Sequence, residues 1–167
     1  MPRTFLELQT KSETADARRA LWEYARSYID SAENAGLYVD LIDERFASGT
    51  DEWTFLVIMI TGEGTHAPIA NLFSEQELTS QSLLSATLFH ESDSEQTEVD
   101  PSEVKVNYYR LNNTDSAMIF HTNCNVELKH IATGVVVRSQ NDRSRSRNYQ
   151  NALGLLRCHL SDKMRHQ

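Results

Sequence analysis

Residues 133–148 read Thr133-Gly134-Val135-Val136-Val137-Arg138-Ser139-Gln140-Asn141-Asp142-Arg143-Ser144-Arg145-Ser146-Arg147-Asn148. A glycine precedes a β-branched run, then comes a polar turn, then an arginine-rich entry into a longer periodic segment. The glycine marks a hairpin, predicting strands over residues 125–130 and 135–139 joined through Ala132-Thr133-Gly134. Beyond the run, Tyr149, Ala152, Leu153, Leu156 and Leu160 recur at helical spacing, predicting a helix over residues 145–164 with these on its apolar face. Arg138, Arg143, Arg145 and Arg147 stand among six hydroxyl or amide side chains: Ser139, Gln140, Asn141, Ser144, Ser146 and Asn148. Arginines offer bidentate donors to phosphate, and a helix N-terminus adds backbone N–H groups. The four arginines and Gln140 are therefore candidate phosphate or RNA contacts. The same run also suits a solvated helix start with surface ion pairs. Gln140 and Asn141 equally suit an internal role, ordering the strand-to-helix turn.

Working outward, Val104, Val106 and Tyr108 alternate with Lys105, Asn107 and Tyr109, predicting a half-buried strand over residues 104–109. Residues 111–115 are turn-rich. Residues 91–103 hold six acidic residues, no basic ones and Pro101, which marks a linker. Before it, residues 4–9 alternate weakly as a short strand. Ser12 or Thr14 then caps a helix whose apolar face is Leu21, Tyr24, Ala25, Tyr28, Ile29 and Ala32, with Gly36 as its C-cap. Residues 37–42 read as a strand with Leu37, Val39 and Leu41 on one face. Residues 54–61 read as a strand buried on both faces, and residues 83–89 as another. Residues 65–82 carry no clear pattern. The fold class is α+β, in two small domains, each a sheet packed with a long helix, at residues 1–98 and 99–167.

The chain has 167 residues and a net charge of −8, with 40% hydrophobic residues, 6 glycines and 3 prolines. That composition folds. The longest apolar run, residues 55–60, is far too short to span a membrane. With no secretory-type N-terminus and only Cys124 and Cys158, a reduced, cytoplasmic or organellar setting is expected. The charge is uneven. Residues 1–103 hold 6 basic and 20 acidic residues, net −14, and residues 104–167 hold 10 and 4, net +6. The acidic average therefore does not exclude a nucleic-acid partner for the C-terminal third.

Other chemistry is poorly supported. The six histidines (66, 90, 121, 130, 159 and 166) have no metal-ligand spacing, so no metal or cofactor is expected. Cys124 lies near His121 and His130, but a buried structural thiol explains it better than a nucleophile. Gly62 and Gly64 lack the third glycine of a dinucleotide loop.

The quoted run resembles a stretch of the bacterial class I peptide chain release factors, Pro-Thr-Gly-Ile-Val-x-x-x-Gln-Asn-(Asp/Glu)-Arg-Ser-Gln. Upstream, Val99-Asp100-Pro101-Ser102-Glu103-Val104 resembles the family's Ile-Asn-Pro-x-Asp-Leu, and Tyr109-Arg110 its Tyr-Arg. Phe5-Leu6-Glu7-Leu8-Gln9 resembles the first strand of the family's preceding domain. Residues 22–36 resemble its helix ending in Ala-Glu-x-x-Gly. The type that decodes UGA and UAA is most similar. The resemblance implies the family's two middle domains, codon recognition over residues 1–98 and hydrolase over 99–167, and a ribosomal partner.

Two departures from the family bear on activity. Its Gly-Gly-Gln falls on Asp115-Ser116-Ala117, in a degenerate loop over residues 111–117. Asp115 and Ser116 place Cβ atoms where the family has glycine. Asp115 puts negative charge near a developing oxyanion, and Ala117 removes the glutamine. Peptidyl-tRNA hydrolysis is therefore expected to be absent. The codon-reading tripeptide is also missing from residues 66–75. The resemblance thus implies a catalytically inactive homologue that binds ribosome or other RNA and modulates termination or RNA stability. The alternatives are a protein-interaction module whose acidic N-terminal segment engages a basic protein, or a divergent active release or rescue factor.

Overall fold

The computed structural model describes residues 3–63, 83–94, 97–110 and 123–167. The chain divides into two compact units, Met1–Ser92 and Asp93–Gln167.

In the first unit, the alternation at residues 4–9 becomes strand β1 (Arg3–Thr10). With β2 (Tyr38–Phe46), β3 (Trp53–Thr61) and β4 (Leu84–His90) it forms a sheet of order β2-β3-β1-β4, antiparallel throughout. β3 lies inside the sheet with both faces covered, which is why it reads as one continuous apolar run. Helix α1 (Ala15–Asn34) packs Leu21, Ala25, Tyr28, Ile29 and Ala32 onto Leu6, Leu8, Leu56, Ile58, Ile60 and Leu84. Thr14 is its N-cap, accepting from the Ala17 N–H at 3.2 Å. Ala35 is the C-cap, and Gly36 follows it at φ +79°. The Leu37 N–H reaches the Ala32 carbonyl and the Gly36 N–H the Glu33 carbonyl, closing the helix with a left-handed residue. Burial pushes the Tyr28 hydroxyl well above its usual pKa.

β2 departs from the expected alternation. Leu41 pairs with Ile58 but Asp43 pairs with Val57, so Ile42 is an inserted residue. The bulge puts Ile42 and Asp43 both in buried positions and carries the strand on to Phe46.

The second unit is a three-stranded antiparallel sheet, order β5-β6-β7: β5 (Val104–Tyr109), β6 (Asn125–His130) and β7 (Val136–Ser139). The β6–β7 hairpin turns at Gly134, φ +72°, whose N–H donates to the His130 carbonyl at 2.8 Å. Helix α2 (Arg145–Arg165) packs over β6 and β7, burying Ala152, Leu155, Leu156 and Leu160 with Val126, Leu128 and Val137. Two expectations need correction. β5 is an edge strand away from the helix, so Val106 is 40% exposed instead of buried. The buried side of α2 includes Asn148, Gly154, Leu155 and Cys158, while Tyr149 and Leu153 are only half-buried.

The acidic stretch is anchored rather than open at its start. Glu91–Ser94 is a single 3-10 turn with Ser94 buried, its hydroxyl 3.6 Å from the Cys158 sulfur. Arg165 donates to the Asp93 carbonyl at 2.8 Å. These contacts place the division between units at Ser92 and Asp93, ahead of residue 98. Pro101–Glu103 is a second such turn, capped by Asp100. Hydrogen bonds from the Ser102 N–H and hydroxyl hold the Asp100 carboxyl below its usual pKa.

Candidate nucleic-acid interface

The strand-to-helix turn after β7 is shaped from inside. Ser139 and Gln140 are buried, and Asn141 takes φ 73°, a left-handed conformation that asparagine tolerates better than most residues. The Asp142 carboxylate then accepts from the Ser144 N–H at 2.8 Å. Ser144 caps α2 by accepting from the Arg147 N–H at 3.2 Å.

One fully buried side chain ties these pieces together. The Asn148 amide donates to the Cys124 carbonyl at 2.9 Å and to the Asp142 carbonyl at 3.0 Å. Its oxygen accepts from the Ser139 hydroxyl at 3.1 Å. The first turn of α2, the entry to β6, the end of β7 and the loop between are thereby fixed to one another. In the sequence Asn148 reads as one more polar group beside the arginines. Its position inside a helix, where asparagine is a poor former, is the signal of an internal role.

The five expected contacts have different environments. Arg138 lies on the sheet face opposite α2 and donates to the Glu127 carboxylate at 2.7 Å. Gln140 is buried and is not among the groups the turn presents to solvent. Arg145 stacks over the Tyr108 ring at 4.2 Å and donates to the Asn123 carbonyl at 3.1 Å. Arg143 is exposed. Arg147 is 72% exposed, 3.3 Å from the Asp142 carboxylate, a pairing that solvent leaves weak. Tyr108, which the sequence presents only as a strand residue, sets the direction of Arg145. Cys124 is buried, and its carbonyl accepts from the Asn148 amide. Asp115, Ser116 and Ala117, and the expected codon-reading region at residues 66–75, lie outside the described residues.

Electrostatically the cluster is one-sided. Arg143, Arg145 and Arg147 stand at the positive end of the α2 dipole, and the first turn of α2 contains no acidic residue. Cations there are disfavoured by the dipole, which the Asp142 carboxylate just before the helix offsets in part and a further anion would offset more.

Residues 92–167 match the family model of the RF-1 domain. Peptide chain release factor 1 of Nautilia profundicola is 24% identical over 174 residues, 98% of this chain and 49% of that protein. The chain is a relative of the class I peptide chain release factors. Peptide chain release factor 1 of Desulfatibacillum aliphaticivorans is 27% identical over 148 residues, 82% of this chain and 41% of that protein. The chain thus spans about half the length of these release factors. Among solved structures, RF2 of Thermus thermophilus shares the fold with a TM-score of 0.79 at 20% identity, over 99% of this chain and 50% of that one. The curated relatives carry the name of the first release-factor type and the solved structure that of the second.

No described helix is long and apolar enough to cross a membrane.

Proposed function

We propose that this chain binds ribosomal or other RNA through Arg143, Arg145 and Arg147 and modulates translation termination without hydrolysing peptidyl-tRNA. The observation that carries the reading is the exposed arginine cluster on a turn held rigid by Asn148, at a helix whose first turn has no acidic residue and where Arg147 meets Asp142 only through a solvent-exposed pairing. Phosphate relieves both the mutual repulsion and the dipole mismatch. Similarity to the release factors supports the ribosome as the source of that phosphate. Inactivity rests on the sequence, where Asp115-Ser116-Ala117 stands in place of Gly-Gly-Gln. The chain then acts as a competitor or regulator of active release factors in the cytoplasm or an organelle. In a peptide-release assay on stalled ribosome complexes, the chain releases nothing alone and slows release by an active factor. Peptide release by the unmodified chain contradicts the inactive assignment.

A second reading, docking of a basic protein on the acidic segment over residues 1–103, draws support from Trp22 and Tyr38, exposed at 54% and 73%. It requires Trp22→Ala or charge reversal at Glu98 to disrupt binding more than the arginine changes do.

A further inference from the structure

The face of the second sheet opposite α2 carries an unusual pairing. Lys105 on β5 lies directly across from Lys129 on β6, and both are exposed. Residues directly opposite in an antiparallel pair hold their Cβ atoms about 5 Å apart, and like charges there are destabilising. In the neighbouring row Asn107, Glu127 and Arg138 stand side by side, and Arg138 takes the Glu127 carboxylate at 2.7 Å. Among the described residues no ion pair reaches either lysine. The sheet thus keeps two adjacent ammonium groups at a cost to its own stability.

We infer that this open face is a second phosphate-contact surface, where Lys105 and Lys129 together hold the phosphodiester backbone of RNA. The inference rests on the RNA reading above and extends it to a part of the unit that the arginine turn does not include. Ammonium groups make point contacts to phosphate without needing a shaped pocket. Lysine is depleted from protein–protein interface cores, so a paired-lysine face favours a polyanion over a protein partner. Tyr108, the ring under Arg145, lies about 10 Å along β5 from Lys105 but on the opposite face of the sheet, so the lysine row is a separate surface that RNA reaches together with the arginine turn only by passing round the β5 edge.

The test separates stability from binding. Lys129→Glu converts the like-charged pair to an opposite-charged one, and its melting temperature rises by about 1–4 °C. Its affinity for purified ribosomal RNA falls several-fold at moderate salt. Lys105→Gln/Lys129→Gln keeps the sheet neutral at both positions and lowers the slope of log affinity against log salt by about two. An unchanged affinity and slope in both variants overturns the inference while leaving the arginine reading intact. A melting temperature of Lys129→Glu at or below that of the wild type also overturns it, because the lysines then impose no cost. If the wild-type chain itself does not bind ribosomal RNA, the RNA reading fails and this inference fails with it.

Discussion

Both units set a long helix on a small antiparallel sheet, but they hold the helix by different means. In the first, α1 is fixed by an apolar seam, with Leu21, Ala25 and Ile29 on Leu8, Ile58 and Leu84. Its described polar bonds to the rest of the unit include the Thr14 cap and the ion pair in which Arg18, near the start of the helix, donates to the Glu52 carboxylate. In the second, α2 also buries leucines, yet its first turn is fixed by Asn148, which reaches Cys124, Ser139 and Asp142. A buried polar network adds little net stability over an apolar one, but it specifies geometry closely. The difference points to where geometry matters. Under the proposed function, the second unit has to hold a particular turn with its arginines outward, and Asn148 is what holds it.

The largest effect expected is on the apolar side of this contrast. Ile58→Ala lowers unfolding free energy by about 2–5 kcal/mol in denaturant melts and leaves the RNA affinity of the folded fraction unchanged. Asn148→Ala lowers it by roughly 1–3 kcal/mol, since the Ser139 hydroxyl and the Cys124 and Asp142 carbonyls each lose a partner. Unlike the core change it also weakens RNA binding, because the turn loses its template. If both variants act on binding alike, the contrast between the units collapses. Arg138→Ala, which opens a part-buried ion pair with Glu127, costs no more than about 1 kcal/mol and leaves the salt dependence of binding nearly unchanged. The smallest effect concerns pH. The folded Asp100 carboxyl has a lowered pKa, so its contribution to stability is fully present above its unfolded pKa and is lost as pH falls through the folded value. Asp100→Asn removes that portion of the acid sensitivity, which pH-dependent melting detects.

Much of the architecture was legible because periodicity and packing agree. The seam of α1 follows 3.6-residue spacing, β3 is apolar throughout because both its faces are covered, and Gly134 turns the hairpin. The bulge at Ile42 was not legible, since an inserted residue leaves no mark on composition. The face of α2 was legible at Ala152, Leu156 and Leu160, but its buried side also includes Asn148, Gly154 and Ser161, which a hydrophobic pattern does not count. The candidate site was legible as a charge cluster but not as an arrangement. Which arginine is committed depends on Glu127 and Tyr108, residues on other strands. Only contacts between strands distinguish Arg138, held by a carboxylate, from Arg147, which faces solvent.

The central claim is that the arginine turn binds ribosomal RNA by its charge. Co-sedimentation of the chain with purified ribosomes, across moderate and high salt, tests it most directly. The wild-type chain pellets at moderate salt and is released as salt rises, and Arg143→Ala/Arg147→Ala, folded as the wild type, loses about two units of the log–log salt slope. Binding that salt does not weaken, or a double variant that follows the wild-type curve, contradicts the account.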